Sequence, residues 1–307
     1  MRNFKRGLAL VMGVAALFTL AACGKTSDTT KSGDLKSLTV QFVPSSNADT
    51  IQAKAKPLGK LLSKELGIPV NVSVSTDYNT IVEAMGSKKV DMGFLPPAPY
   101  TIAHKKYGVN VILQSQRFGV QKNNTGLPTT QLVNSYASDI IVRKDSGIKS
   151  IKDLKGKKIA VQDVTSDAGY IFPMVELDHK GIKPSDYTTV TVKGHDQGVL
   201  AVENKNADAA FVFDDARNLV KKDVPSIFKD TEVLYQTTPI PNDTIALRSG
   251  INAKWQKKIT EAMEAIEKTP NGAAILKDVY SWNGVTPSKD SNFDIVRKYE
   301  SEANKLN

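Results

Sequence analysis

Apolar residues in the first third of the chain follow two different periods. Residues 37–43 form a short apolar run, residues 48–66 place apolar side chains at helical spacing, and residues 69–75 alternate between apolar and polar. A second helical pattern covers residues 78–85, and a buried-strand pattern covers residues 90–95. Strands that alternate with helices in this order predict parallel α/β structure.

The same order of elements recurs later in the chain. Residues 156–164, 187–193 and 207–213 have strand patterns, and residues 169–180 and 197–203 between them have helical patterns. We therefore expect a second α/β unit built like the first.

Short sequence matches link the two copies. Residues 40–45 and 161–166 share Val-Gln-x-Val-x-Ser, and residues 88–94 and 205–211 share Lys-x-x-Asp-x-x-Phe. Matches this short arise by chance, but these fall on equivalent elements of the same βαβαβ order. We interpret the chain as two related α/β lobes.

Two segments are predicted to cross between the lobes. Residues 136–147 form a strand-like connection, residues 237–250 a return crossing, and the last part of the chain is mainly helical, most clearly over 255–268. The predicted limits are a signal peptide at 1–22, a lipidated cysteine and flexible tether at 23–35, lobe 1 at 36–141 and 242–307, and lobe 2 at 142–241. A cleft between lobes is a preferred place for a small ligand.

The N-terminus indicates export. Arg2, Lys5 and Arg6 precede an apolar run over residues 8–22, which at about 15 residues is short for a membrane span. Leu-Ala-Ala before Cys23 resembles a bacterial lipobox, and the polar residues after it suit a tether. We expect a lipid anchor on the extracytoplasmic face of the cell membrane; the alternative is an ordinary cysteine within a secretory segment.

Composition narrows the class of protein. With 307 residues, 40% of them hydrophobic and 24% charged, the chain suits a globular protein of two domains. Its net charge of +9, or +6 without the three N-terminal cations, attracts anions or nucleic acid, but no nucleic-acid-binding motif is present. A solvated basic surface is the favoured interpretation, and a single cysteine excludes an intramolecular disulfide.

Hydroxyl-bearing turns follow the first strand of each copy. Ser45 and Ser46 follow one strand, and Thr165, Ser166 and Asp167 follow the other. In open α/β sheets ligands bind beyond the carboxyl ends of strands, where helix N-termini favour an anion. The alternative is N-capping alone. Two such turns at matched positions favour a shared ligand.

A second matched pair is Tyr78 and His195, which the offset of the Lys-x-x-Asp-x-x-Phe match aligns, each at a predicted strand-to-helix turn. Both side chains carry hydrogen-bond donors that could reach the cleft. A lone histidine is more often structural, yet Gly194-His195-Asp196 at a strand-to-helix turn is an unusual core position.

Enzyme signals are weak. The sequence contains no GxSxG, Walker, HExxH or strand-following GxGxxG motif. Three scattered histidines do not suggest a zinc site, and Asp214 and Asp215, adjacent on a strand end, should point to opposite faces. We expect no catalysis, no cofactor and no metal.

Five segments together resemble a known family. They are residues 77–100, 136–160, 163–173, 194–212 and 239–248, in the expected order. The chain from about 37 to 268 is similar to the substrate-binding lipoproteins of ABC importers for phosphate, phosphite and phosphonates. The resemblance implies a two-lobe, type II periplasmic-binding-protein fold that closes on its ligand.

The resemblance also implies that Tyr78, the 165–168 loop, His195 and Asp196 lie at the ligand. Combined with the strand ends, the predicted ligand-binding residues are Ser45, Ser46, Tyr78, Thr165, Ser166, Asp167, Ala168, His195, Asp196 and Asp214. The family usually has Ser-Thr-Ser-Gly where this chain has Ser-Asp-Ala-Gly at 166–169. Asp167 is then either a helix cap or a ligand-facing charge that filters the ligand's charge state.

The predicted function is capture of a phosphorus oxyanion and its delivery to an ABC permease with its ATPase subunits. We expect a monomer that binds no nucleic acid. The alternatives are a binding protein for another small organic solute, a two-lobe enzyme such as a pyrimidine-synthesis protein, and a surface adhesin or sensor domain.

Overall fold

The computed structural model describes residues 34–122 and 124–306, which form two large β-sheets flanked by helices and a small two-stranded sheet. In chain order the strands are β1 (Leu38–Phe42), β2 (Val70–Val74), β3 (Met92–Leu95), β4 (Asn110–Val120), β5 (Pro128–Val133), β6 (Ser135–Tyr136), β7 (Ser138–Arg143), β8 (Lys158–Val161), β9 (Thr188–Thr191), β10 (Ala209–Phe213), β11 (Thr231–Gln236), β12 (Ile240–Pro241), β13 (Thr244–Leu247) and β14 (Gly284–Pro287). The helices are α1 (Ala48–Leu66), α2 (Tyr78–Gly86), α3 (Pro97–Tyr107), α4 (Phe172–His179), α5 (His195–Glu203), α6 (Ile227–Asp230), α7 (Ala253–Glu267), α8 (Pro270–Tyr280) and α9 (Asp294–Ala303).

The two sheets repeat one topology. The first has the order β14-β4-β13-β3-β1-β2, with β5 paired to β4, and the second has the order β11-β7-β10-β8-β9. In each, the first strand of a βαβαβ unit lies between its second and third strands and pairs with both in parallel. A strand from a crossing segment then adds antiparallel, β13 beside β3 and β7 beside β10. The predicted duplication is confirmed at the level of strand order.

Helix α1 shows why the pattern folds as it does. Its buried residues are Ile51, Ala55, Leu58, Gly59, Leu62 and Leu66, which share one face of the helix and pack toward the first sheet. Each fully buried leucine or isoleucine contributes roughly 1.5–3 kcal/mol. Asn47 caps the start by accepting a hydrogen bond from the Thr50 N–H, and Gly67 ends the helix in a left-handed conformation at φ 70°.

The helix predicted at residues 169–180 begins differently from expectation. It starts as a π-helical turn over Asp167–Ile171 and continues as α4. The Ser166 carbonyl accepts from the N–H groups of both Tyr170 and Ile171, at 3.0 Å each, which widens the turn. Such π turns concentrate at functional sites. Helix α5 begins two residues earlier than predicted, because the Gly194 carbonyl already accepts from the Gly198 N–H.

The two crossing segments lie side by side. Strands β6 and β12 pair antiparallel, so both connections between the lobes run through one short ribbon. Strand β7, which the predicted limit at residue 141 would divide, lies wholly in the second sheet. The lobe limits themselves remain predictions.

The signal peptide, Cys23 and most of the tether lie outside the described residues. At the predicted end of the tether, Leu35 is 5% exposed and packs in the first lobe's core. No helix within residues 34–122 and 124–306 is both long and apolar enough to cross a membrane.

Candidate functional site

A cavity of about 90 Å³ lies between the two lobes. A space of this size holds a few water molecules or a small solute. Its polar and aromatic lining includes Ser45, Ser46, Tyr78, Arg117, Tyr136, Ser166, Asp167, His195, Phe213, Asp243 and Tyr280. Strand ends and helix starts from both lobes therefore form much of the wall, and Arg117 within β4 and Tyr280 at the end of α8 complete it.

The first lobe contributes hydroxyls at two helix N-termini. Ser45 and Ser46 connect β1 to α1, and Tyr78 is the first residue of α2. Asp77 caps α2 by accepting a hydrogen bond from the Thr80 N–H at 2.7 Å, which fixes the direction of the helix start. Burial first, then nearby carboxylates, raise the pKa of Tyr78, so its hydroxyl stays protonated and serves as a donor.

The second lobe contributes Ser166, which has two tasks. Its Oγ accepts a hydrogen bond from the Gly169 N–H at 3.1 Å and so caps the following turn. A hydroxyl that accepts one hydrogen bond still has its own proton to donate. Ser166 also lines the cavity and interacts with the Tyr78 side chain of the other lobe. Capping and ligand contact are thus compatible at this residue.

Asp167 is buried beside Ser166, with 1% of its surface exposed. Its Oδ2 accepts a hydrogen bond from the Ala98 N–H, at the start of α3 in the first lobe, at 3.0 Å. Its Oδ1 is buried and has no partner among the described residues. Burial raises the pKa of Asp167 well above the ordinary value, the Ala98 N–H opposes this, and the charge of Glu300 adds to it.

His195 is held in one tautomer. Its Nδ1 lies 3.3 Å from the Phe213 N–H and accepts from it, so the ring proton is on Nε2. Burial, and then the charge of Arg117, lower the pKa of His195 to about 3. The ring is therefore a neutral donor at physiological pH. The His195 peptide N–H donates to the Ser45 carbonyl at 3.0 Å, which brings the two lobes into direct contact.

Arg117, on β4, is the buried cation of the cavity lining, with 12% of its side chain exposed. Its Nη2 lies 3.5 Å from Asp215 Oδ1, and its guanidinium lies 5.7 Å from the Tyr136 ring centre and 5.3 Å from that of Phe213. Burial acts to lower its pKa, but the charges of Asp215 and other carboxylates outweigh this and raise it. The cation is permanent and stacked between aromatic rings.

Asp243, just before β13, faces the same cavity. Burial raises the pKa of Asp243 to about 6, although the Arg117 charge and a hydrogen bond from the Trp282 side chain act against the shift. The inner part of the cavity therefore combines several neutral donors and one largely buried cation with two carboxyl groups of raised pKa, whereas Lys54 and Asp278 lie on its exposed rim.

Six of the ten predicted ligand-binding residues line this cavity: Ser45, Ser46, Tyr78, Ser166, Asp167 and His195. Thr165 and Ala168 do not. Thr165 closes a local turn in which both its N–H and its Oγ1 donate to Asp163 Oδ1, and it faces a different surface cavity. The Ala168 carbonyl accepts from Ser138 Oγ at 2.6 Å inside the second lobe.

Asp196 and Asp214 also lie outside the lining of this cavity. Asp196 is half-buried in the first turn of α5, and burial raises its pKa. Asp214 Oδ2 accepts from the Ala137 N–H at 3.2 Å and lines a neighbouring cavity of about 300 Å³. Their assignment to the ligand remains a prediction.

Sequence reasoning did not single out Arg117, Tyr136, Asp243 or Tyr280. Tyr136 and Asp243 lie within two of the five family-like segments, so the family resemblance could have identified them as candidate site residues. Arg117 lies in the middle of a long strand and carries no local signal. It reaches the cavity because β4 pairs with β13 and brings residues far apart in sequence together. Tyr280 donates its hydroxyl to the Val43 carbonyl at 2.7 Å and supports the first strand end.

The lining suits recognition rather than bond breaking. Hydroxyls, an imidazole N–H and a guanidinium converge on a small space, which is an arrangement that binds an oxyanion. Among the described residues, no group of three or more histidine, cysteine, aspartate or glutamate side chains is placed to hold a metal ion.

Comparison with known proteins points in the same direction. Residues 40–293 match the family of periplasmic substrate-binding proteins of phosphonate ABC transporters. The phosphate-import protein PhnD of Mycolicibacterium smegmatis is 28% identical over 94% of both chains. The phosphonates-binding periplasmic protein of Escherichia coli is 25% identical over 86% of this chain and 75% of its own. These relatives are transport proteins, which confirms the prediction that the chain is not an enzyme.

A solved structure shows the same fold. The binding-protein component of an ABC phosphonate transporter from Pseudomonas aeruginosa superimposes with a TM-score of 0.77, at 19% identity, over 89% of this chain and 88% of that one. The predicted two-lobe periplasmic-binding-protein fold is confirmed.

Proposed function

Because the chain belongs to the family of periplasmic substrate-binding proteins of phosphonate ABC transporters, we propose that it captures a phosphorus oxyanion in the interlobe cavity. The candidates are phosphonate, phosphite and phosphate. The observation that carries the proposal is the buried Arg117 guanidinium, placed among neutral hydroxyl and imidazole donors. Arginine and hydroxyl donors match the oxygen atoms of a phosphoryl group in charge and direction.

The cavity limits the size of the ligand. About 90 Å³ suits an inorganic oxyanion or one with a small substituent. Phe213 and Ile51 supply apolar surface beside the donors, which would accept a short alkyl group on phosphorus. A different small organic solute with an anionic end is the second candidate, and this apolar lining is the observation that favours it.

The binding experiment follows directly. Ligand-stripped protein is titrated by calorimetry with phosphate, phosphite, hypophosphite and a series of alkylphosphonates, and native mass spectrometry checks the stoichiometry. We expect one site that takes at least one of these anions. If none binds while an unrelated organic solute does, the ligand class is wrong.

A matched pair of variants locates the site. Ser166→Ala removes a hydroxyl that lines the cavity, whereas Thr165→Ala removes its neighbour, which faces elsewhere. We expect about tenfold weaker binding for Ser166→Ala and little change for Thr165→Ala. Equal effects would place the ligand outside the cavity.

We also propose that the protein is held on the extracytoplasmic face of the membrane by a lipid on Cys23 and delivers its ligand as a monomer to a permease and its ATPase subunits. The lipobox-like sequence, the polar segment that follows it and the family support this arrangement.

The anchor is tested with Cys23→Ala. The variant should be released from the membrane fraction and should bind its ligand with unchanged affinity, because the cysteine is separated from the fold by the tether. Cell fractionation with immunoblotting measures the release. A variant that stays in the membrane fraction would show that the apolar segment itself, not a lipid, holds the protein there.

A further inference from the structure

The unusual group in the cavity is Asp167. Its carboxylate is fixed on one side, where Oδ2 accepts from the Ala98 N–H, and is unpaired on the other, where the buried Oδ1 has no hydrogen-bond partner among the described residues. The side chain is 1% exposed and lines the cavity. A buried acceptor in this position is satisfied when a bound molecule brings a hydrogen-bond donor.

The charges around the cavity do not favour a ligand that has lost all its protons. Arg117 is the buried cation, but Asp215 lies 3.5 Å from its guanidinium, and Asp243 lines the same space. Lys54 and Asp278 lie on exposed parts of the lining and oppose each other in sign. A fully ionised phosphoryl group has no proton to donate to the Asp167 carboxylate. Both groups would be hydrogen-bond acceptors with negative charge, so they would repel each other.

Resting on the proposed function, we infer that Asp167 is a specificity-determining residue that makes the site bind its oxyanion together with one proton. A ligand that keeps a P–OH group donates that proton to Oδ1. A ligand without one binds when the carboxyl group is itself protonated and donates to a ligand oxygen. Either way the complex contains one proton between Asp167 and the anion, and no covalent bond changes.

Other titrating groups surround Asp167 and must be separated from it. The titratable groups that share the inner lining of the cavity with Asp167, or that act on its pKa, are Tyr78 on α2, Arg117 on β4, Tyr136 on β6, His195 on α5, Asp243 before β13, Tyr280 at the end of α8 and Glu300 on α9. The tyrosines and Arg117 keep their protons, and His195 is neutral. Asp243 and Glu300 remain, since burial raises their pKa values to about 6 and about 7.

The test is the pH dependence of affinity, measured by calorimetry with three anions: methylphosphonate, whose dianion has no P–OH group; inorganic phosphate, whose dianion keeps one; and sulfate, which has the shape of phosphate but carries no proton. Above the pH at which free methylphosphonate and Asp167 have both lost the proton, the wild-type affinity for methylphosphonate should fall about tenfold for each pH unit, whereas the affinity for phosphate should not show this slope. In the same pH range, calorimetry of methylphosphonate binding in buffers of different ionisation enthalpy should show uptake of one proton. Sulfate should bind at least about tenfold more weakly than phosphate near neutral pH.

Asp167→Asn replaces the carboxylate with an amide that both accepts from Ala98 and donates to the ligand. We expect the variant to lose the pH slope and the proton uptake, and to reduce the preference for phosphate over sulfate at least about tenfold. Asp167→Ser is a second variant without a titrating group, for use if the first melts early. Glu300→Gln is the control, since it removes another raised carboxyl outside the cavity lining and should keep the slope.

The outcomes are distinct. A slope that persists in both Asp167 variants, or one that disappears in Glu300→Gln, overturns the role of Asp167 while leaving the proposed function intact. Wild-type protein that binds no phosphorus oxyanion at any pH overturns the proposed function, and the inference with it.

Discussion

Arg117 is the residue on which the electrostatics of the cavity depend. It lies between the Tyr136 and Phe213 rings and opposite Asp215, and its charge lowers the pKa of both His195 and Asp243. On the proposed function, the cation attracts the anionic ligand; together with burial, which is the larger cause, it also keeps the neighbouring imidazole neutral.

We predict that Arg117→Gln weakens oxyanion binding at least about tenfold, because the charge-assisted hydrogen bonds are lost. The unfolding free energy should fall by up to about 3 kcal/mol, since Asp215 would lose its partner in a largely buried position. Calorimetry and urea unfolding measure the two effects. Lys54→Gln, on the exposed rim, is the control and should change both little; equal losses for the two variants would count against Arg117 as the binding cation.

At the scale of elements, the start of α5 sets how closely the lobes approach. Gly194 has an ordinary extended backbone with φ −145°, so its conformation does not require glycine. Its surroundings do: a Cβ there would lie 2.8 Å from Ser46 Cα and 3.3 Å from the Ser45 carbonyl oxygen, across the cleft. The missing side chain is what allows the His195 N–H to reach Ser45.

We predict that Gly194→Ala holds the lobes apart. Affinity should fall at least about tenfold, because a ligand that contacts both lobes binds the closed state. In small-angle scattering the wild type should become more compact with saturating ligand, and the variant should not. Gly198→Ala, in the same helix but facing Val212 within the second lobe, is the control. If Gly194→Ala compacts with ligand as the wild type does, the added methyl group is accommodated at the contact with Ser45 and Ser46 and does not hold the lobes apart.

At the scale of the whole molecule, buried carboxyl groups make stability depend on pH. Burial, with a contribution from the Asp214 charge, raises the pKa of Asp139 to about 8, and burial raises that of Asp214 to about 7. Both values exceed the ordinary value of about 3.9 in an unfolded chain. The folded protein therefore binds more protons than the unfolded chain between these limits, and its unfolding free energy falls as the pH rises through them.

At lower pH, the titration of His195 changes the unfolding free energy in the opposite direction. Its pKa of about 3 in the folded protein is below the value of about 6.5 in the unfolded chain. As the pH falls from about 6.5 toward 3, His195 takes up a proton in the unfolded chain but not in the folded protein, so the unfolding free energy decreases.

We predict that Asp139→Asn stabilises the protein at alkaline pH and has a vanishing effect toward pH 4. The amide keeps the hydrogen bond from Gln236 but has no charge to bury. The gain over wild type should grow by roughly 1 kcal/mol for each pH unit within the window. Thermal and urea unfolding across pH measure it, with exposed Asp223→Asn as control. A pH-independent difference would show that Asp139 does not titrate in the folded state.

The sequence by itself predicted the alternating elements, their repeated βαβαβ order along the chain and six of the residues that line the cavity. These features depend on local causes: the period of apolar side chains, and the hydrogen bonds that serine or tyrosine makes at a strand-to-helix turn. Ser166 is an example, because the N–H that it caps is only three residues away.

Only the tertiary structure decided which charges meet. Arg117 and Asp243 are brought together by the pairing of β4 with β13, and Asp167 reaches the Ala98 N–H from 69 residues away. The tertiary structure also places Ser166 in the lining of the cavity and Thr165 outside it, and it places Asp214 in a neighbouring cavity. Burial and charge at such a site are properties of surfaces that come from both lobes, so no periodicity within either lobe encodes them.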